Sequence, residues 1–297
     1  MDRLDAMSTL LSVVEAGSLS AASRQLGVPL ATVSRRVSEL EAHLGTRLLN
    51  RSTRRLSLTN AGDSYIAACK RILDEVEEAE RAASGEYRTP KGNLAITTPV
   101  VFGRLHVLPI VLEFLQVYPE IDVRMVLVDR VIDLLEDHVD LAVRIGELPD
   151  SSLVARRVGE IRRVVCGSPR YMAERGVPRR PQDLASHDCI TFEGLTSPGL
   201  WTFTTGRSEI SIPIRSRLIV NTAEAAVDAA VAGVGLARLL SYQIADAVTG
   251  GKLAVALEAF EPPPWPVSLV HHGQRLLPLK LRTFLDFAIP RLRARIA

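Results

Sequence analysis

Thr32, Ser34, Arg35 and Arg36 fall within five residues, directly after Leu30 and Ala31. Hydroxyls and guanidiniums at that spacing suit hydrogen bonds to the edges of bases and to phosphates. More guanidiniums follow at Arg51, Arg54 and Arg55. Between Arg24 and Arg55 seven arginines stand against two glutamates, a local positive field within a chain whose net charge is only +2. Such a field fits phosphate contact. A basic stretch by itself is more often a solvated face, so the apolar residues around it must decide.

They do so by their periodicity. Val33, Val37, Leu40 and Leu44 recur at i, i+4, i+7 and i+11, which predicts one buried helical stripe with the polar group largely off it. Ala21, Ala22 and Leu26 mark one face of a shorter helix before it, and small Ala permits close packing. Gly27 frees the backbone for a sharp bend, and Pro29 suits a helix start because its missing N–H is not needed there. The second helix has the form of a recognition helix whose first turns enter a DNA major groove. Leu4, Met7, Leu10, Leu11 and Val14 predict a preceding helix, stopped by Gly17, with Ser18 as the next N-cap. Leu48 to Leu58 reads as two short strands around Asn50–Arg54, a wing.

These residues resemble the winged helix-turn-helix of LysR-type transcriptional regulators. The resemblance rests on Ala21-Ala22, Leu26-Gly27-Val28, Val33-Ser34-Arg35, Leu40-Glu41, Leu44-Gly45 and Leu58-Thr59-Asn60-Ala61-Gly62. It extends to Asp140-Leu-Ala-Val-Arg-Ile-Gly146, His187-Asp188-Cys189 and Ala232-Gly-Val-Gly-Leu-Ala237, and so covers the whole chain. Pro29 and Leu30 depart from the pattern, where a capping Ser and a polar base-reader are common. The resemblance implies an α/β chain in three parts. Residues 1–59 form the winged helix-turn-helix and 60–90 a linker helix and hinge. Residues 91–297 form a two-lobed, periplasmic-binding-protein-like effector domain, with lobe I about 91–162 and 268–297 and lobe II about 163–267. It implies a sequence-specific regulator of transcription, not an enzyme. DNA contacts would come from Leu30, Ala31, Thr32, Ser34, Arg35, Arg36, Arg51, Arg54 and Arg55. The partners implied are a double-stranded operator, a small effector, further copies of the chain up to a homotetramer, and RNA polymerase.

Residues 60 to about 86 carry a long helical pattern in which Ile66, Cys69, Leu73 and Val76 make a short heptad seam. Packing on the chain's own body is the plain alternative to a dimer helix. The length and the charged flanks favour the dimer helix. Ser84, Gly85, Thr89, Pro90 and Gly92 mark the hinge. From Asn93 onward strands and helices alternate, as in open α/β sheets with sites at the strand carboxyl ends. Helices are predicted over Gly103–Tyr118, Val131–Asp137, Thr222–Ala232 and Pro278–Arg293.

Strand Leu94–Thr98 runs into Pro99 and a helix that Thr98 can cap. Helix N-termini favour acceptors, so an anionic group of the effector is expected there, with Thr97, Thr98, Val100 and Phe102 around it. Arg144 lies in the otherwise apolar run LAVRIG, where either a salt bridge, with Asp129 for example, or a ligand would answer its charge. Ile145 and Gly146 end that strand. Asn221 and Thr222 begin a helix in the second lobe, Asn221 either as N-cap or as ligand contact. Gly235 and Leu236 are the remaining positions where backbone would approach an effector.

The chain of 297 residues is 47% hydrophobic and 24% charged, an ordinary globular balance for two or three domains. Gly233-Val-Gly235 follows a helix and precedes a strand, the wrong order for a dinucleotide fingerprint, and His271-His272 point apart in a strand. Metal and cofactor are therefore not expected. No signal peptide or apolar run of ~20 residues is legible, and three cysteines form no disulfide or zinc spacing, which points to a cytoplasmic protein away from membranes. Two rival readings stay open. One is a redox-sensing regulator using Cys166 and Cys189. The other is a bilobed solute-binding protein or enzyme with an added helical domain.

Overall fold

The computed structural model describes residues 2–52, 55–84, 89–134, 137–148, 153–193, 199–206, 208–273 and 277–296. It divides into two units, Met1–Gly92 and Asn93–Ala297.

In the first unit α1 (Arg3–Glu15) starts at Asp2, whose carboxylate accepts the N–H groups of Leu4 and Asp5. Helix α2 (Leu19–Leu26) starts at Ser18, whose hydroxyl accepts the Ala21 N–H at 3.1 Å, and ends at Gly27 with φ 66°. That left-handed turn is open to glycine at no steric cost. Helix α3 (Leu30–Leu44) follows Pro29 with no side-chain cap. Ala22, Val33, Val37 and Leu40 close on Leu10, Val13, Leu48 and Leu49 in one core. Leu44 departs from the expected stripe and is 37% exposed. The last turn of α3 overhangs this small core, and Ala42, His43 and Gly45 beside it are exposed too.

The wing is the antiparallel pair β1 (Leu49–Ser52) and β2 (Arg55–Leu58), with Arg51 opposite Leu56. Arg54 lies outside the described residues, as do the side chains of Arg51 and Arg55. Helix α4 (Asn60–Ser84) occupies the stretch expected to form the linker helix. Its start is fixed closely: the Thr59 hydroxyl accepts the Gly62 N–H at 3.0 Å and donates to the Arg47 carbonyl at 2.7 Å. A Cβ on Gly62 would sit 2.1 Å from the Leu48 carbonyl oxygen, so only glycine fits. Ile66 joins the core of this unit, and Cys69 is fully buried. The first half of the expected seam is thus used inside the chain, while Leu73 and Val76 remain half-buried.

The second unit holds two five-stranded sheets. The first has the order β4 (Ile121–Leu127), β3 (Gly92–Thr98), β5 (Leu141–Ile145), β14 (Trp265–His272), β6 (Leu153–Ile161). The second has the order β11 (Arg215–Val220), β8 (Asp188–Phe192), β12 (Leu236–Leu240), β7 (Arg163–Gly167), β13 (Ala254–Ala256). A hairpin, β9 (Leu200–Thr205) and β10 (Ser208–Pro213), covers one face of the second sheet, where Trp201 and Phe203 pack on Val165, Cys189 and Leu236. Helix α8 (Ala223–Val231) covers the other face. Helix α10 (Leu279–Ile296) closes the first sheet through Phe284, Leu285 and Leu292.

Three expected elements differ. The helix over Gly103–Tyr118 is a longer run: α5 (Val100–Phe102), a π-helical segment Gly103–Val107, and α6 (Leu108–Val117). Leu108 donates to the Gly103 carbonyl five residues back, which widens the helix just before Pro109, a residue with no N–H for the ordinary ladder. No helix forms over Val131–Asp137 among the described residues. The Ile132 carbonyl there is taken by Arg144 at 2.6 Å, and His138 has φ 52°. Helix α8 is capped by Thr222, whose hydroxyl accepts the Ala225 N–H at 3.4 Å, and not by Asn221.

The run Val100–Val117 is long and apolar enough in composition to cross a bilayer. It carries Arg104, His106 and Glu113, and it buries Phe102, Val107, Ile110 and Phe114 in the core of the first sheet.

Candidate functional site

The first turn of α3 is presented outward. Leu30 is 46% exposed, Ala31 is exposed, and Thr32 and Ser34 are half-buried at the rim. The Arg35 side chain is 65% exposed and pairs with Glu39 at 2.9 Å, one turn on. Surface pairs of this kind contribute only ~0.3–0.5 kcal/mol, so Arg35 is readily surrendered to a stronger acceptor. Arg36 behaves differently from the expectation. Its guanidinium turns back to α1, pairing with Asp5 at 2.7 Å and donating to Thr9 Oγ1 at 3.3 Å. These contacts tie α3 to α1. Glu41, one of the two glutamates in the basic stretch and half of the Leu40-Glu41 pair, has a structural part as well. It accepts the N–H groups of Leu48 and Leu49 at 2.8 and 3.1 Å and fastens the wing to α3.

In the second unit several of the expected effector residues have partners or packing within the structure itself. Thr97 is buried and donates to the Val126 carbonyl at 3.2 Å. Thr98 does not cap the following helix. The Val100 N–H donates to the Asp129 carboxylate at 3.1 Å. Burial pushes the Asp129 pKa up, against the Val100 hydrogen bond, and Glu224 in the first turn of α8 pushes it further. An acidic group already occupies the helix end where an anion was expected. Phe102 is fully buried in the first core, edge-on to Tyr242 with ring centroids 5.4 Å apart, while Val101 beside it belongs to the second core. Tyr242 lies in α9 (Ser241–Thr249), so this contact joins the two sheets.

Arg144 has a backbone partner, the Ile132 carbonyl, in place of the salt bridge considered with Asp129. Burial lowers its pKa. Ile145 packs against the first core, and Gly146, at φ 113°, faces the Trp265 ring. Asn221 and Thr222 are exposed. Gly235 and Leu236 are structural. Leu236 is fully buried under the hairpin, and a Cβ on Gly235 would lie 2.3 Å from the Asp188 carbonyl oxygen. The His187-Asp188-Cys189 stretch is structural as well. Tyr171 OH lies 3.3 Å from His187 Nδ1 and accepts the Asp188 N–H at 3.0 Å, and Asp188 pairs with Arg217 at 3.2 Å.

Cys166 and Cys189 stand on β7 and β8 with β12 between them. Two strand spacings are about 9–10 Å, beyond the ~7 Å Cα reach of a disulfide. They also face opposite cores, and burial pushes both thiols up to about 12. Among the described residues no group of three or more His, Cys, Asp or Glu is placed to hold a metal.

Outward helix, wing and two-sheet unit together define a DNA-binding regulator with a ligand-binding module. Residues 4–63 match the bacterial regulatory helix-turn-helix protein, lysR family, and residues 88–293 match the LysR substrate binding domain. A transcriptional repressor of the helix-turn-helix type from Pseudomonas aeruginosa (strain UCBPP-PA14) is 35% identical over 97% of this chain and 92% of its own. The transcriptional activator AaeR of Escherichia coli (strain K12) is 33% identical over 96% of this chain and 93% of its own. The structure of CrgA, a LysR-type regulator from Neisseria meningitidis, superposes with a TM-score of 0.62 at 32% identity, covering 97% of this chain and 98% of that one. The chain belongs to the LysR family of transcriptional regulators and is a DNA-binding regulator with an effector-binding domain, not an enzyme.

Proposed function

We propose that the protein works in the cytoplasm as a homodimer or tetramer on an inverted-repeat operator, and that a small organic effector held at the junction of the two sheets sets its action on RNA polymerase. The observation that carries the operator reading is the exposed first turn of α3, with Leu30, Ala31 and Arg35 outward and Val33, Val37 and Leu40 buried behind them. Ser34 and Arg35 would read base edges, and the wing arginines Arg51, Arg54 and Arg55 would grip phosphates. Oligomerisation has two supports. Leu73 and Val76 remain half-buried on α4 beyond the part that packs on its own unit. In the effector unit Leu108, Leu112 and Val117 of α6 and Leu127 of the edge strand β4 are exposed.

The effector would change the population of two arrangements of the sheets and so the spacing of the DNA-reading heads. Thr98, Val100, Ile145, Gly146 and Thr222 remain its candidate neighbours by position. A full-length Leu73→Asp, Val76→Asp double variant tests the dimer helix, because it would bury unpaired charges at the seam. Sedimentation velocity should show a lower oligomer with weakened operator binding. A variant of unchanged mass and operator affinity places the interface elsewhere.

A further inference from the structure

Arg238 is the third residue of β12, in the run Leu-Ala-Arg-Leu-Leu, and is 4% exposed. Strand alternation puts it with Leu236 on the face that the β9–β10 hairpin covers. Its guanidinium stands over the Phe203 ring, 5.2 Å from the centroid, and its buried Nη2 has no hydrogen-bond partner. Arg163 opens the neighbouring β7. The register pairs Leu240 with Arg163 and Arg238 with Val165, so the two arginines are diagonal neighbours on one face, with Cα atoms about 7–8 Å apart. The Arg163 guanidinium lies 4.4 Å from the centre of the Trp265 ring and donates to the Pro263 carbonyl at 3.1 Å, yet its buried Nε is also without a partner. Among the described residues neither guanidinium has a carboxylate at ion-pair distance. Glu209 and Glu147 favour the charge on Arg163 only from farther off. Burial, and then Arg163, lowers the pKa of Arg238 to about 10.

Two adjacent cations with unused buried donors are costly unless an anion joins them. Trp265, half-buried beside Arg163, adds an apolar face on one side. We propose that Arg238 and Arg163 are the anion-binding half of the effector site: one carboxylate or phosphate group of the effector bridges the two guanidiniums, and its organic body lies on the Trp265 side. This rests on reading residues 93–297 as an effector-binding unit. It moves the anionic group away from the α5 end, where Asp129 already sits.

The test uses the full-length protein and its melting temperature at constant ionic strength in chloride. The probes are benzoate, benzamide as its uncharged shape-mate, and inorganic phosphate. At a hundredfold excess over Kd, benzoate or phosphate should raise Tm by about 5–10 °C, and benzamide should not. A response to benzoate alone identifies a carboxylate, and a response to phosphate alone a phosphate. Arg238→Met, which keeps the volume and removes the charge, should melt no lower than wild type without ligand and lose the response at least tenfold. Arg163→Gln should lose it as well. No shift with either anion overturns the site, as does an undiminished shift in both variants. Operator mobility shifts on the same samples separate the failures. Intact operator binding without an anion response removes this site and leaves the regulator standing. Loss of operator preference in wild type strikes the regulator itself.

Discussion

The Asp129 carboxylate accepts the Val100 N–H at 3.1 Å, so the helix that leaves β3 is capped from a loop 29 residues away and not by the adjacent Thr98. The α5 end is thereby an acidic corner, with Glu224 acting on Asp129 from α8. Its pKa is raised, chiefly by burial, so the folded state keeps a proton that the unfolded chain has already released. That contribution to stability is full below the ordinary carboxylate pKa of about 4 and is lost as pH rises through the raised value. Asp129→Asn keeps an oxygen acceptor and removes the buried charge. It should therefore melt with wild type near pH 4 and at or above it at pH 7. Asp129→Ala leaves the Val100 N–H without that acceptor and should cost about 1 kcal/mol near pH 4, and less at pH 7, where wild type has lost the contribution of the raised pKa. Thermal melts across that range decide, and an Asn variant less stable than wild type at pH 7 counts against the assignment.

Arg35 and Arg36 are neighbours whose side chains part: Arg35 is exposed and pairs along its own helix, while Arg36 turns back to Asp5 on α1. Arg36→Ala should lower the stability of the first unit by about 1 kcal/mol through loss of its contacts to Asp5 and Thr9, with operator preference retained. Arg35→Ala should leave stability within ~0.5 kcal/mol and cost ~1–3 kcal/mol of discrimination between operator and random DNA. Denaturant melts paired with anisotropy titrations on both duplexes separate the two roles. Equal loss on both duplexes for Arg35→Ala would end its base-reading role.

Gly62 and Gly235 each press against a carbonyl oxygen, of Leu48 and of Asp188. Replacing either by Ala forces backbone to move, at a cost of ~1–3 kcal/mol or more. Gly62→Ala should lower the melting of the first unit. Gly235→Ala should disturb the second sheet whether or not effector is present. A Gly235→Ala protein that melts normally and loses only effector affinity would return Gly235 to the ligand site.

Buried thiols with pKa near 12 carry almost no thiolate at neutral pH. Cys166 and Cys189 should react with a thiol reagent only on unfolding, and a Cys166→Ser, Cys189→Ser double variant should answer peroxide as wild type does in operator binding. Rapid native-state labelling of both thiols would revive the redox reading.

The helix-turn-helix was legible because its stripe, its Gly27 turn and its Ser18 cap are local signals that agree with one another. Leu44 was not, since periodicity cannot say where a small core ends. The α5 cap was hidden because Asp129 comes from a distant loop, and Arg36 because Asp5 lies on another helix. Arg238 was within reach. It is a charge in an apolar strand, LARLL, the same signal that drew attention to Arg144 in LAVRIG. What no local pattern shows is that Arg144 finds a carbonyl partner while Arg238 and Arg163 keep buried donors unused.

The central claim is that the exposed first turn of α3 reads DNA sequence from a symmetric assembly. Selection of bound duplexes from a random pool by the full-length protein, followed by sequencing, tests it most directly. The account predicts enrichment of an inverted repeat with half-site centres about 10 base pairs, or a multiple of that, apart, and loss of specific half-site positions with Arg35→Ala. A pool that stays random, or that enriches one motif with no symmetry mate and no change in Arg35→Ala, would contradict it.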